Sequence, residues 1–407
     1  YMGAGSFTGA LGDFLAAIDG SNLAAGDTAA SLVDRQVTRW IADLMGFPET
    51  ASAALVSGGT IANIVGLAAA RNAMAGIDLH SESVADLQQR LVFYASDQVH
   101  NAHMKAMNLM GLGGKSLRRV ASDSHLRLDM AALRAAIADD RAAGHRPACI
   151  IATAGTTNSG AIDPLRAIAE LCRKEGLWMH VDGCIGALIM LSPSHRHLVH
   201  GVEQADSIAL DLHKGLQAPF DVGCAVLRDR ATHRRTFAEH AEYLEKTPRG
   251  IAAAELLCDY APETTRSFRA LKVWMMLRHH GAKAFGQIIG RNIEQASFLA
   301  SLVSADPELE LLAPVETSIV CFRHNPGGMD VVALNAHNME ILLRLQESGV
   351  AAPSETTIRG NACLRVAICN HRTRDSDLEM LLRHVKETGN QIASEGRRNS
   401  QARSGSA

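Results

Sequence analysis

Residues 207–215, Ser-Ile-Ala-Leu-Asp-Leu-His-Lys-Gly, run from an apolar stretch directly into Asp211, His213 and Lys214. A strand ending in a lysine places the amine at the carboxyl edge of an α/β sheet, the edge where such sheets bind ligands. An amine there can form a Schiff base with a carbonyl compound. A lysine in an ordinary loop is only solvated, so the neighbouring strand ends must decide. One of them closes on His180-Val-Asp182, where a carboxylate could either cap the next turn or keep a heterocyclic nitrogen protonated. Another closes on Val56 and continues as Ser-Gly-Gly-Thr-Ile-Ala-Asn63 into a helical run. The free N–H groups of such a helix start, with Gly58, Gly59 and Thr60 allowing close approach, make a phosphate cradle.

Two further strand ends complete the set. Phe93-Tyr-Ala-Ser-Asp-Gln-Val-His100 brings an imidazole to the same edge, able to stack on a ring or touch a substrate carboxylate. Ala152-Thr-Ala-Gly-Thr-Thr-Asn-Ser-Gly-Ala-Ile-Asp163 brings Thr157 and Asp163. An amine, an anion, a phosphate cradle and a stacking ring are the needs of pyridoxal 5'-phosphate (PLP), whose protonated pyridine serves as an electron sink. Taken singly, each of these residues has an ordinary structural explanation; their convergence on one crevice does not.

The elements that must position them are short β-rich runs at 53–56, 91–95, 149–152, 178–182, 207–211 and 223–227, alternating with Ala-, Leu- and Arg-rich helical runs at 60–75, 99–112, 130–143, 165–175 and 232–240. This order predicts βα units around a largely parallel sheet, an α/β/α sandwich. We expect an N-terminal helical segment over 1–50, truncated at its start because the chain opens in mid-pattern at Tyr1, then a large domain over 51–281. A smaller C-terminal α+β domain follows over 282–393, with a helix near 282–303 and strands at 317–323 and 362–368, and then a polar, basic tail over 394–407 that should be disordered.

The 407 residues carry a formal net charge of -3, with 47% hydrophobic and 20% charged residues, so no nucleic-acid partner is suggested. No apolar run approaches the roughly 20 residues needed to cross a bilayer, and the start lacks the pattern of a signal peptide, which points to a cytoplasmic protein without a membrane partner. The eight cysteines are scattered singly, so neither disulfides nor a metal site is expected. His195, His197 and His200 have no interleaved carboxylate or cysteine and read as a solvated stretch.

The segments SGGTIAN, SDQVHNAHMKA, ATAGTTNSGAID, HVDG, DLHKG and FRALKVW, in this order and spacing, resemble the group II PLP-dependent amino-acid decarboxylases, which include aromatic amino-acid, histidine and glutamate decarboxylases. The resemblance covers residues from about 10 to 390. It implies the PLP-dependent transferase fold type I, like that of aspartate aminotransferase, in a homodimer with the active site at the interface. It also implies decarboxylation of an L-amino acid to its amine and carbon dioxide. Carried over position by position, Lys214 is similar to the Schiff-base lysine, Asp182 to the pyridine-nitrogen partner and His100 to the ring-stacking histidine. Gly59, Thr60 and His213 fall where the family holds the phosphate, and Thr157 where it lines the ring. Arg365, in CLRVAI, matches an arginine at the substrate end of the site.

Tyr243, in HAEYLE and 29 residues beyond Lys214, falls on the tyrosine of the family's mobile loop, whose phenol protonates Cα after carbon dioxide leaves. Phenylalanine there diverts relatives to oxidative deamination, so an aldehyde synthase is the alternative, with an aminotransferase behind it. A non-catalytic protein that keeps the sheet for binding is the contrasting class, and the presence of both Lys214 and Tyr243 argues against it. The chain departs from the family pattern at Gly215, commonly Trp, and at Gly183, usually Ala. It departs again at residues 22–28, small and polar where the family's dimer-crossing pocket wall is aromatic. These departures leave the substrate open.

Overall fold

The computed structural model describes residues 5–24, 26–239, 249–250 and 253–404. The chain divides into two compact units, one of residues 5–157 and 162–290, the other of 158–161 and 291–404.

The larger unit is built on seven strands: β1 (Ser52–Val56), β2 (Leu91–Ser96), β3 (Leu117–Val120), β4 (Arg146–Thr153), β5 (Trp178–Asp182), β6 (Ser207–Asp211) and β7 (Gly223–Leu227). They lie in the order β1-β7-β6-β5-β4-β2-β3. Pairing is parallel from β3 through to β6, while β7 runs antiparallel to both β6 and β1. Six strands therefore share one direction and their carboxyl ends share one edge. The strands are nearly continuous apolar runs, and every residue of β2, β6 and β7 is buried, as expected of a sheet covered by helices on both faces. The helices Gly59–Met74, Ala102–Leu109, Met130–Ala142 and Leu165–Glu175 follow β1, β2, β3 and β4 in turn. The predicted α/β architecture is the observed one. β3 is the strand that sequence periodicity does not reveal, because Leu-Arg-Arg-Val buries only its two ends.

A buried polar chain lies beneath the carboxyl edge. Trp178 Nε1 donates to Ser207 Oγ at 2.8 Å, Ser207 meets His180 Nδ1 at 2.8 Å, and His180 Nε2 meets Asn63 Oδ1 at 2.8 Å. Asn63 Nδ2 donates in turn to Gly59 O at 2.8 Å. With the Asn63 amide donating to Gly59, its oxygen must accept, so the proton of His180 sits on Nε2 and Ser207 donates to Nδ1. Every member is then satisfied with an uncharged imidazole, and burial indeed pulls the His180 pKa down to about 3.

Two helices precede β1. In Ala29–Leu44, Thr28 and Ser31 form a reciprocal capping box. Helix Phe7–Asp19 turns its glycines inward: a Cβ on Gly9 would lie 2.8 Å from Met276 Sδ, and one on Gly12 would lie 2.6 Å from Lys272 Cα. Lys272 is buried and pairs with Asp13 at 3.0 Å. Phe7, Phe14 and Ile18 are left 84%, 62% and 69% exposed on the other side.

The smaller unit has an antiparallel sheet of β8 (Leu309–Leu311), β9 (Ile319–His324), β10 (Ser354–Ile358) and β11 (Asn361–Ala367), in the order β10-β11-β9-β8. Helices Val331–Glu347 and Asp375–Ser404 contribute to its core around Phe322, Leu345, Leu364 and Val385. The last helix takes in residues 394–404, whose polar composition suggests disorder; Glu395, Arg397, Arg398, Gln401 and Ala402 are nonetheless good helix formers. Helix Arg269–Ala305 contributes residues to both units and is interrupted at Gly281, with φ 76° and ψ 153°.

Gly66, inside helix Gly59–Met74, tests the placement of the polar chain. An alanine would ordinarily favour a helix by about 1 kcal/mol, but its Cβ would come within 2.6 Å of His180 Cε1 and 3.1 Å of Ser207 Oγ. The ring is held by two hydrogen bonds and cannot step aside, so overpacking, typically about 1–3 kcal/mol, outweighs propensity. Gly66→Ala should lower Tm in a thermal melt; a raised Tm would mean that His180 does not lie against this helix.

Candidate active site

The strand ends enclose a cavity of about 380 Å³ lined by, among others, Gly58, Gly59, Thr60, His100, Thr157, Asp182, Asp211, His213 and Lys214. Its centre of charge is Asp211, the last residue of β6 and only 4% exposed. Oδ2 lies 2.8 Å from Lys214 Nζ, while Oδ1 accepts the Gly59 N–H and stands 3.4 Å from His213 Nε2. One carboxylate thus joins the lysine to the start of helix Gly59–Met74. Burial alone would lower the pKa of the Lys214 amine, but Asp211, Cys184 and Asp182 together outweigh it and hold the amine above its ordinary value.

The Gly59 amide is committed to Asp211, and the first intrahelical bond runs from Ala62 N to Gly58 O. The N–H groups of Thr60 and Ile61 are therefore outside the helix's own bonding and border the cavity. The close approach requires glycine: a Cβ on Gly59 would press on Cys184 Sγ and come within 2.7 Å of Asp211 Oδ2.

Asp182, at the end of β5 and 6% exposed, is fixed on both oxygens. Oδ1 accepts the Cys184 N–H at 3.2 Å and Oδ2 lies 2.9 Å from His103 Nε2. Burial would raise its pKa, yet the bonds from His103 and Cys184 hold the carboxyl well below the usual carboxylate range. His103 is a residue that motif reading does not single out. Its signal is that it falls with Ala102, Ala106 and Met107 on the buried face of helix Ala102–Leu109, where a histidine requires a partner.

His100 sits at the cavity rim, just ahead of that helix. Its Nδ1 accepts the Ala102 N–H at 3.2 Å, so Nε2 carries the ring proton, and partial burial lowers its pKa and keeps the ring uncharged at neutral pH. The His213 pKa is likewise lowered, chiefly by burial, and its ring lies 4.5 Å from that of Phe220, centre to centre, at a tilt of 43°. Asp163 does not line the cavity. It accepts the Leu128 and Thr153 N–H groups at 2.7 Å each, bracing the end of β4, and burial raises its pKa to about 6. Arg365 lies on β11 of the smaller unit, with Nε 2.9 Å from Ser354 Oγ. Tyr243 lies outside the described residues. His195 bonds Ser192 and Ser194, while His200 bonds Arg166.

The donor set fits PLP: an amine and a buried anion on neighbouring strand ends, free N–H groups at a helix start, and an imidazole at the rim. Comparison with known proteins agrees. A family model described as the pyridoxal-dependent decarboxylase conserved domain matches residues 1–325. The aromatic-L-amino-acid decarboxylase of Bacillus atrophaeus is 31% identical over 397 residues, covering 96% of this chain and 80% of that protein. The L-2,4-diaminobutyrate decarboxylase of Acinetobacter baumannii is 30% identical over 368 residues, covering 88% of this chain and 72% of the relative. Among solved structures, that of Oryza sativa TDC with PLP and tryptamine superposes with a TM-score of 0.88 at 26% identity, over 96% of this chain and 82% of the other.

Asp163 provides a test of the brace beside the site. Asp163→Ala strands two buried N–H groups at about 1–3 kcal/mol each, so Tm should fall. A raised folded pKa of about 6, against roughly 4 in the unfolded chain, means that the folded state holds the proton more tightly. The stability from Asp163 is therefore full below about pH 4 and declines as pH rises through about 6. The Tm gap between wild type and Asp163→Ala should narrow from pH 4.5 to pH 7.5; a widening gap would contradict the burial-raised pKa.

Proposed function

This chain belongs to the pyridoxal-dependent decarboxylase family and is a PLP-dependent amino-acid decarboxylase, and from that premise we propose that Lys214, Asp182, His100 and Tyr243 carry the reaction. The observation behind the assignment is the pair Lys214 and Asp182, which stand at the carboxyl ends of the neighbouring strands β6 and β5 and border the same cavity. When bound, PLP supplies the electron sink for the carbanion left at the substrate Cα as carbon dioxide departs.

The protein's own groups do the remainder. Lys214 tethers the cofactor through Nζ; as an ammonium paired with Asp211 it must first give up a proton. Asp182, kept anionic, holds a proton at the ring nitrogen. Thr60 and Ile61 N–H groups at the helix start, with His213, bind the phosphate, and the helix dipole favours that charge. His100 covers a ring face as a neutral imidazole. Tyr243 returns a proton to Cα, a role carried by its sequence position.

We further propose a homodimer. Helix Phe7–Asp19 is anchored through its glycines, and its exposed stripe of Phe7, Phe14 and Ile18 suits a second copy of the chain. All eight cysteines are thiols, the form that a reducing cytoplasm maintains, and no helix among the described residues is long and apolar enough to cross a membrane.

The test uses the holoenzyme in air with a panel of L-amino acids, measuring carbon dioxide, amine, aldehyde and peroxide. Wild type should release carbon dioxide and amine in equal amounts and show a visible absorbance band that Lys214→Ala lacks. Tyr243→Phe should form amine about 100- to 10,000-fold more slowly, with aldehyde and peroxide in its place and the visible band retained. Aldehyde as the main wild-type product would make the protein an aldehyde synthase instead; an unchanged product ratio in Tyr243→Phe would remove Tyr243 from the reaction.

A further inference from the structure

We propose that His103 is a positioning residue that fixes the Asp182 carboxylate and thereby keeps the cofactor's ring nitrogen protonated. The inference rests on the reading that Asp182 is the partner of that nitrogen.

His103 is completely buried, on the inward face of helix Ala102–Leu109. Nε2 donates to Asp182 Oδ2 at 2.9 Å. Nδ1 is buried with no hydrogen-bond partner, and the ring's other neighbour, His180, meets it edge to face with centroids 6.3 Å apart. A polar atom buried without a partner is a cost that protein interiors seldom retain. The polarity of His103 is thus spent on a single bond, and that bond goes to the charged group facing the cavity.

Two consequences follow for Asp182. With Oδ1 held by the Cys184 N–H and Oδ2 by His103, the carboxylate cannot rotate about Cβ–Cγ, so its remaining lone pairs keep a fixed direction. A hydrogen bond donated to a carboxylate also makes it less basic. A proton shared between Asp182 and a pyridine nitrogen then stays on the nitrogen instead of moving to the oxygen. His103 acts through Asp182 and is not assigned any contact with the cofactor itself.

The proposal separates donation from packing. His103→Leu fills a comparable space without a donor and, because Nδ1 has no partner, breaks no other hydrogen bond. His103→Gln places an amide N–H at a similar reach. Each holoenzyme is reconstituted with PLP carrying ¹⁵N at the ring nitrogen, and the ring resonance, the rate of PLP release, kcat, KM and Tm are measured.

We expect a protonated-ring resonance in wild type and in His103→Gln. In His103→Leu the resonance should move toward the unprotonated value, PLP release should quicken, and kcat should fall about 10- to 100-fold, the effect of one charge-assisted hydrogen bond, with KM changed much less. An unchanged resonance in His103→Leu would overturn the proposal, as would equal losses in both variants accompanied by a lowered Tm, which mark a packing role. If His103→Leu does not fold, the more adaptable His103→Met is read in its place against the same outcomes. An unprotonated ring in wild type would instead overturn the Asp182 assignment, and this inference with it.

Discussion

Two carboxylates, Asp182 and Asp211, end adjacent strands in a crevice that leaves each of them almost no water, and the site is organised around making those charges tolerable. An isolated buried carboxylate would take up a proton. Asp211 is met by an ammonium and a backbone N–H; Asp182 stays charged on an imidazole N–H and a backbone N–H. The same partners that stabilise the charges also fix their directions. Placing the lysine, orienting the ring anion and docking the helix start on the sheet are therefore consequences of one electrostatic requirement.

Beneath the charges the polar chain from Trp178 to Gly59 is fully satisfied and neutral. That neutrality matters, because a protonated His180 would compete with His103 and Lys214 for the nearby anions. Burial, which lowers the His180 pKa to about 3, confines positive charge to the cavity side. The glycine at position 66 lets the helix approach closely enough for the chain to close.

The meeting of Asp182, Asp211 and Lys214 at one cavity was legible in the sequence because apolar runs stop abruptly at or just before each of them, and the strand–helix alternation follows from the same runs. Short strands were not legible. β3 hides behind two exposed arginines, and β10, Ser-Glu-Thr-Thr-Ile, carries one buried residue. The partner of a charge was not legible either. The spacing of His103 with Ala106 and Met107 marks the ring as inward-facing, but nothing in it names Asp182 as the partner, and nothing in Ser-Gly-Gly-Thr says that the Gly59 amide goes to a carboxylate far along the chain. Such pairings depend on which elements the sheet order brings side by side, and that order is a property of the assembled fold. Asp163 illustrates the limit: its place after β4 pointed to the crevice, but two backbone amides turn its carboxylate into the scaffold.

The sheet order also sets a timetable. Among the described residues β1 pairs only with β7, Ser52 opposite Leu227, and the carbonyl of Leu55 together with Asp34 is met by Arg266. During synthesis at about 5–20 residues per second, the first strand must wait on the order of ten seconds or more for its partner to leave the ribosome. Throughout that interval its apolar face and open edge are an invitation to other chains. The glycine-lined face of helix Phe7–Asp19, which docks on Pro219 and Lys272, waits longer still. The early part of the chain is thus the last to find its place, and production of the protein should depend on chaperones that shield nascent chains more than its final stability would suggest.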